Sequence, residues 1–124
     1  MQNIYKRSGK IEDEVNKRKR ANAVIEHIVL FKFNDAATNE QKEEGMKRLR
    51  QLKSVLPGIL DIQTNHNFSD RNKGYDMGLT VRFESKEALE NYGPSPEHQA
   101  VVSYLDEIGV IDKLAVDFVI DSQE

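Results

Sequence analysis

Hydrophobic positions between residues 24 and 120 follow two periods, one of two residues and one of three to four. Residues 24–33 are rich in β-branched and aromatic side chains, which predicts a first strand. Thr38 and Gln41 have the spacing of a helix-capping box, and Pro57 and Gly58 stop the apolar pattern that follows. The apolar positions of this predicted helix are Met46, Leu49, Leu52 and Leu56.

The rest of the chain repeats the alternation of strands and helices. Ser85 is placed to cap a short helix that ends at Gly93-Pro94, and Ser95 with Pro96 forms the start signal of a longer one. In chain order the pattern predicts a strand over 59–68, a turn over 70–74, a strand over 75–83, a helix over 85–92, a helix from 95 to about 108 and a last strand over 114–120.

This order, β-α-β-β-α-β, is the ferredoxin-like plan, an α+β fold with an antiparallel sheet and helices on one face. Alternation divides the strands into a helix-covered face and an open face. The covered face is predicted to hold Ile25, His27, Val29, Phe31, Phe33, Leu60, Ile62, Phe68, Leu114, Val116, Phe118, Ile120 and alternate residues from Tyr75 to Phe83. The open face is predicted to hold Ile28, Leu30, Ile59, Asp61, Gln63, Thr80, Arg82, Asp117 and Val119.

The aliphatic residues of the predicted open face would lie in water in a monomer. Two sheets packed face to face around a two-fold axis would bury them, so we expect a homodimer. The alternative is a monomer with an exposed, half-polar sheet, which antiparallel sheets tolerate.

Charge is unevenly distributed along the 124 residues. Residues 1–22 contain seven lysines and arginines and three acidic residues, a net charge of +4, and since the whole chain carries −3 the remainder carries −7. We therefore divide the chain into a basic N-terminal arm (1–23), a folded domain (24–121) and a short C-terminal tail (122–124). The basic run 17–20 lacks interleaved aromatic residues and joins an acidic body, so nucleic acid is not an expected partner.

Composition narrows the chemistry further. The chain has no cysteine, which excludes disulfides, thiolate metal sites and thiol nucleophiles. It has no run of 18 apolar residues and no apolar segment near its charged N-terminus, so we expect neither a membrane span nor a secretory signal, and a cytoplasmic location.

Four segments in register resemble the stress-responsive α/β-barrel domain family: HIVLFKF (27–33), GYDMG (74–78), FESKEAL (83–89) and PEHQAV (96–101). The resemblance covers about residues 24–121. It implies a ferredoxin-like protomer that forms a dimeric α/β barrel, in agreement with the open-face argument. It does not imply one activity, because many members have no assigned chemistry, one plant member is a cofactor-independent polyketide cyclase, and another is a stress protein with a stable assembly.

The cyclase offers candidate site residues by resemblance. Its cavity is lined by a histidine that opens the first strand, a histidine that ends a His-Pro-x-His motif, and a tyrosine six residues earlier; the matching positions here are His27, His98 and Tyr92. Aldol closure needs a base beside a carbonyl and a donor for the oxyanion, and histidine titrates near neutral pH. Three polar family positions differ: they are Ser95, Leu49 and Met77 here.

Three interpretations of the histidines stay open. They could hold the second helical segment against the sheet, line a site for a small hydrophobic or phenolic ligand, or act as the acid–base pair of a cyclase-like lyase or oxygenase. The expected pocket lining is Val29, Phe31, Leu49, Met77 and Leu79. We expect no cofactor and no metal, because no two histidines have the short spacing of metal ligands.

Overall fold

The computed structural model describes residues 23–121; most of the basic arm (residues 1–22) and the tail (122–124) lie outside the described residues. The elements are β1 (Ile25–Phe33), α1 (Asn39–Val55), β2 (Ile59–His66), β3 (Met77–Phe83), α2 (Lys86–Tyr92), α3 (Pro96–Ile108) and β4 (Val110–Val119). The sheet order is β2-β3-β1-β4, and every neighbouring pair is antiparallel. The predicted ferredoxin-like fold is confirmed.

The predicted helix starts are confirmed by their caps. The backbone N–H of Gln41 donates to Thr38 Oγ1 over 3.1 Å. The backbone N–H of Thr38 donates in turn to the side-chain Oε1 of Gln41 over 2.9 Å, which completes the capping box. Ser85 accepts from the Ala88 amide in the same way at the start of α2. Ser95 is the N-cap of α3 and Pro96 its first residue, so each helix begins where the sequence indicates.

The last strand starts four residues earlier than predicted. Gly109 ends α3 with a φ of 122°, in the region that favours glycine, and Val110 pairs at once with Phe33 of β1. A Cβ at Gly109 would lie 2.7 Å from the side-chain nitrogen of Asn34, so the turn has no room for a larger residue. The strand therefore follows α3 without a loop.

The helices pack on β1, β3 and β2 and bury one core. Gly45 lets α1 approach α3 closely, since a Cβ there would lie 2.7 Å from the Leu105 side chain. Phe83 and Val81 have no exposed surface. The other buried core residues are Ile25, Val29, Phe31, Phe33, Met46, Leu49, Leu52, Ile59, Ile62, Met77, Leu79, Tyr92, Val101, Leu105 and Ile108.

The predicted faces of β4 are wrong by one residue. Ile25 pairs with Val119 and His27 with Asp117, and directly paired residues of antiparallel strands point to the same face. Val119 and Asp117 therefore lie on the helix side. The residues that replace them on the open face, with 47–50% of each exposed, are Leu114, Val116 and Phe118.

Three residues of the β2 region also differ from the prediction. The pairing of β2 with β3 shifts between Ile59 and Asp61, so Ile59 pairs with Phe83 and is buried, while Leu60 is 45% exposed. Phe68, expected on the covered face, lies beyond the end of β2 in the loop to β3 and is fully exposed.

Candidate functional site

The helices leave the helix side of β4 uncovered. Residues 111–118 are all exposed, although β1 beside them is buried at Val29 and Phe31. Lys113, Ala115 and Asp117 pair with Phe31, Val29 and His27 and so point to the helix side; we call these three residues the β4 strip. Within residues 23–121, the strip is helix-side sheet surface that the helices do not cover.

His27 lies at the edge of this strip and is paired with Asp117. Its Nδ1 contacts Asp117 Oδ1, and the side chain of His27 is 14% exposed against 46% for Asp117. A carboxylate oxygen accepts, so Nδ1 of His27 carries the proton that this contact shares with Asp117. The pair therefore fixes the orientation and tautomer of His27.

Tyr92 lies between the two histidines. Its ring centroid is 6.0 Å from that of His27, in an edge arrangement, and 4.2 Å from that of His98. Phe83 supports it from the sheet at 5.0 Å. The contacts place one aromatic residue, at the end of α2, against a histidine of β1 and a histidine of α3.

His98 is held by the junction between α2 and α3. Its Nδ1 donates to the Gly93 carbonyl over 2.9 Å, which leaves Nε2 as the acceptor of the neutral ring. Burial lowers the pKa of His98, the charges of His27 and Lys113 lower it further, and the bond to Gly93 opposes them. His98 is therefore neutral at pH 7 and can accept a proton.

The Tyr92 hydroxyl could donate a hydrogen bond to a bound molecule. It is buried and has no hydrogen-bond partner among residues 23–121, and burial raises its pKa, so it stays protonated. Together the site holds one ring nitrogen that can accept a proton, Nε2 of His98, and one hydroxyl that can donate a hydrogen bond, that of Tyr92, which are the two groups needed to move a proton beside a carbonyl.

The structure brings the three predicted site residues, His27, Tyr92 and His98, together. Sequence reasoning missed Asp117, because strict alternation put it on the open face. Asp117 is identified by the antiparallel register of β4 on β1, which pairs it with His27. This register cannot be deduced from the periodicity of the sequence. The five residues predicted to line the pocket are 8% exposed or less, in the closed core, and their lining role stays a prediction: Val29, Phe31, Leu49, Met77 and Leu79.

Two further observations concern metal binding and membrane insertion. Within residues 23–121, no three histidine, aspartate or glutamate side chains are grouped closely enough to hold a metal ion. No helix in this part of the chain has the length and apolar character needed to cross a membrane.

The four-stranded antiparallel sheet with helices on one face defines an α+β protein of the ferredoxin-like class. Residues 25–120 match the family model described as the stress responsive A/B barrel domain. The chain belongs to this family.

Similar proteins include enzymes and proteins of unknown function. Olivetolic acid cyclase from Cannabis sativa is 33% identical over 76 residues, which cover 60% of this chain and 75% of that protein. A dimeric ferredoxin-like protein of unknown function from Jannaschia sp. CCS1 superposes with a TM-score of 0.68 at 25% identity, covering 78% of this chain and 99% of that one. Hydroxynitrile lyase from Passiflora edulis superposes with a TM-score of 0.72 over 83% of this chain and 98% of that one; at 14% identity the likeness is one of fold. Dimeric proteins among these relatives support self-association.

Proposed function

We propose that this chain is a homodimeric domain in which each protomer binds a small hydrophobic or phenolic molecule beside His27, Tyr92, His98 and Asp117. The observation that carries the proposal is the contact of Tyr92 with both histidines, next to a strip of sheet that the helices leave open. Histidines that only hold a helix in place need no accessible surface beside them and no unpartnered buried hydroxyl. No cofactor is invoked, and the cytoplasmic location stays a prediction.

The open face is the proposed dimer interface. It carries Ile28 and Leu30 of β1, directly paired with Val116 and Leu114 of β4, so four aliphatic side chains form a continuous patch. Phe118 extends the patch and is 47% exposed. Packing two such patches together removes this surface from water, and the description of similar proteins as dimeric supports self-association.

A second candidate function is a cyclase-like lyase activity that uses the same site. It is favoured by the similarity to olivetolic acid cyclase and by the free Nε2 of the neutral His98. In this mechanism His98 removes a proton from the carbon beside a carbonyl, and the Tyr92 hydroxyl donates to the developing enolate oxygen. His27, held by Asp117, is placed to return a proton.

Binding is tested by thermal shift on the full chain with phenolic acids, linear polyketide mimics and fatty acids. A ligand at about 100 times its dissociation constant stabilises by about 2.7 kcal/mol, which moves the midpoint by several degrees. The hit is repeated with His98→Gln and with His66→Gln, a matched control whose histidine is paired with Glu43 at the end of β2. We expect the shift to be lost in His98→Gln and kept in His66→Gln; equal shifts in both variants would refute the site.

Proton transfer is tested separately from binding. Deuterium uptake beside the ketone of 5-oxo-5-phenylpentanoate is followed by NMR in D₂O, where the carbon loses a proton to the base and regains a deuteron from solvent. The lyase candidate predicts uptake above the buffer rate that disappears in His98→Gln. Binding without any such uptake would leave the ligand-binding function and reject the lyase.

A further inference from the structure

Lys113 is the cation of the β4 strip. It pairs with Phe31 of β1 and so projects to the helix side, on the same face of β4 as Asp117. The two residues are four positions apart along the strand, a span of roughly 13 Å. Between them Ala115 presents only a methyl group, so the strip has a positive end, a small apolar middle and the His27–Asp117 pair at the other end.

The charges along this strip are not equivalent. Asp117 is paired with His27, whereas Lys113 forms no salt bridge with any acidic residue between 23 and 121. Its charge also reaches His98, whose pKa it lowers. What distinguishes Lys113 from the other lysines is its place on the β4 strip, close enough to His98 for its charge to act on that histidine, in a body that carries −7.

We propose that the molecule bound on the β4 strip is an organic monoacid, with its carboxylate paired to Lys113 and its apolar body lying over Ala115 toward His27 and His98. This inference rests on the function proposed above and names its ligand class. A single ammonium group matches one negative charge, and the acidic body disfavours ligands with more. The carboxylate at Lys113 then sets how far along the strip the rest of the molecule reaches.

The experiment compares the binding of a carboxylic acid with that of its uncharged amide analogue. Calorimetric titration of the full chain with 4-butylbenzoate and with 4-butylbenzamide measures the contribution of the negative charge at constant shape. The proteins are the wild type, Lys113→Gln, Lys113→Arg, His98→Gln and, as a matched control, Lys47→Gln on the exposed surface of α1. Because Lys113 is exposed, its substitution leaves the core intact, and unchanged melting temperatures verify this.

We expect the acid to bind the wild type about threefold more tightly than the amide, the size of an ion pair with a solvent-exposed lysine. This preference should fall to near unity in Lys113→Gln and persist in Lys113→Arg and Lys47→Gln. An unchanged preference in Lys113→Gln, equal binding of acid and amide, or no binding of either compound to the wild type overturns the inference.

The proposed ligand site and the proposed preference for an acid are refuted by different results. If both compounds bind, lose affinity in His98→Gln and show no dependence on Lys113, the site stands and the acid preference is wrong. If both compounds bind every variant equally, including His98→Gln, they bind elsewhere and the site itself is wrong.

Discussion

His27 of β1 and Asp117 of β4 face each other across the strand ladder, with Nδ1 of the imidazole paired to the carboxylate. The contact is made at the sheet edge, where Asp117 is 46% exposed. A pair this accessible adds little to stability, because solvent screens it. Its consequence is orientation: it holds one tautomer of His27 beside Tyr92.

Asp117→Asn tests this positioning role. The amide oxygen can still accept a hydrogen bond, so we expect the free energy of unfolding to change by less than about 1 kcal/mol. If the lyase candidate holds, deuterium uptake should fall by about 100-fold, because His27 loses the charge that stabilises its protonated form. Nitrogen NMR of the His27 ring should show a smaller Nδ1-protonated fraction.

Asp106→Asn, on the exposed surface of α3, is the matched control and should leave both readouts unchanged. A variant at Asp117 with wild-type uptake and an unchanged His27 tautomer would contradict the positioning role.

His98 should make stability depend on pH. Burial lowers its pKa from the ordinary 6.5, so below that pH the unfolded chain binds a proton at this residue that the folded chain does not. The free energy of unfolding should therefore fall as the pH drops from 6.5 to the folded-state pKa, and His98 should have no effect at higher pH. Urea unfolding of the wild type and His98→Gln between pH 4.5 and 8 measures the difference. Parallel curves for the two proteins would show that His98 does not contribute.

Much of the fold follows from local sequence signals. Thr38 with Gln41, Ser85, and Ser95 with Pro96 mark helix starts, because capping depends on residues within one turn. The core residues of β1 and β3 follow from alternation, since both strands lie in the middle of the sheet under the helices.

Alternation could not predict which side of β4 lies on the helix side of the sheet. Alternation divides a strand into two sides but does not say which side the helices cover. Leu114, Val116 and Phe118 form the more apolar side, yet they lie on the open face, and the polar side with Asp117 faces the helices. The two histidines of the candidate site could be named from the sequence through the family resemblance, whereas the carboxylate partner of His27 required the register.

Tyr92→Phe separates the ring of Tyr92 from its hydroxyl. The hydroxyl is buried without a partner among residues 23–121, so its removal should leave the free energy of unfolding unchanged or raise it by up to about 1 kcal/mol. The ring packs against Phe83 and both histidines, so Tyr92→Ala should cost about 3–5 kcal/mol. Denaturant titration measures both. If the hydroxyl supports an enolate, Tyr92→Phe should also lose deuterium uptake; a destabilised Tyr92→Phe would instead mean that the hydroxyl has a structural partner.

Phe118→Glu tests the assembly. Phe118 lies on the open face, 47% exposed, and pairs with Glu26 of β1, whose carboxylate already accepts from Arg82. A second carboxylate beside Glu26 would place like charges in the proposed interface, where desolvation makes them costly. Light scattering at micromolar concentration should report twice the chain mass of 14.2 kDa for the wild type and a single chain for the variant. Glu90→Gln, on exposed α2, should stay dimeric. A wild type that scatters as one chain would refute the dimer, and a dimeric Phe118→Glu would move the interface away from this face.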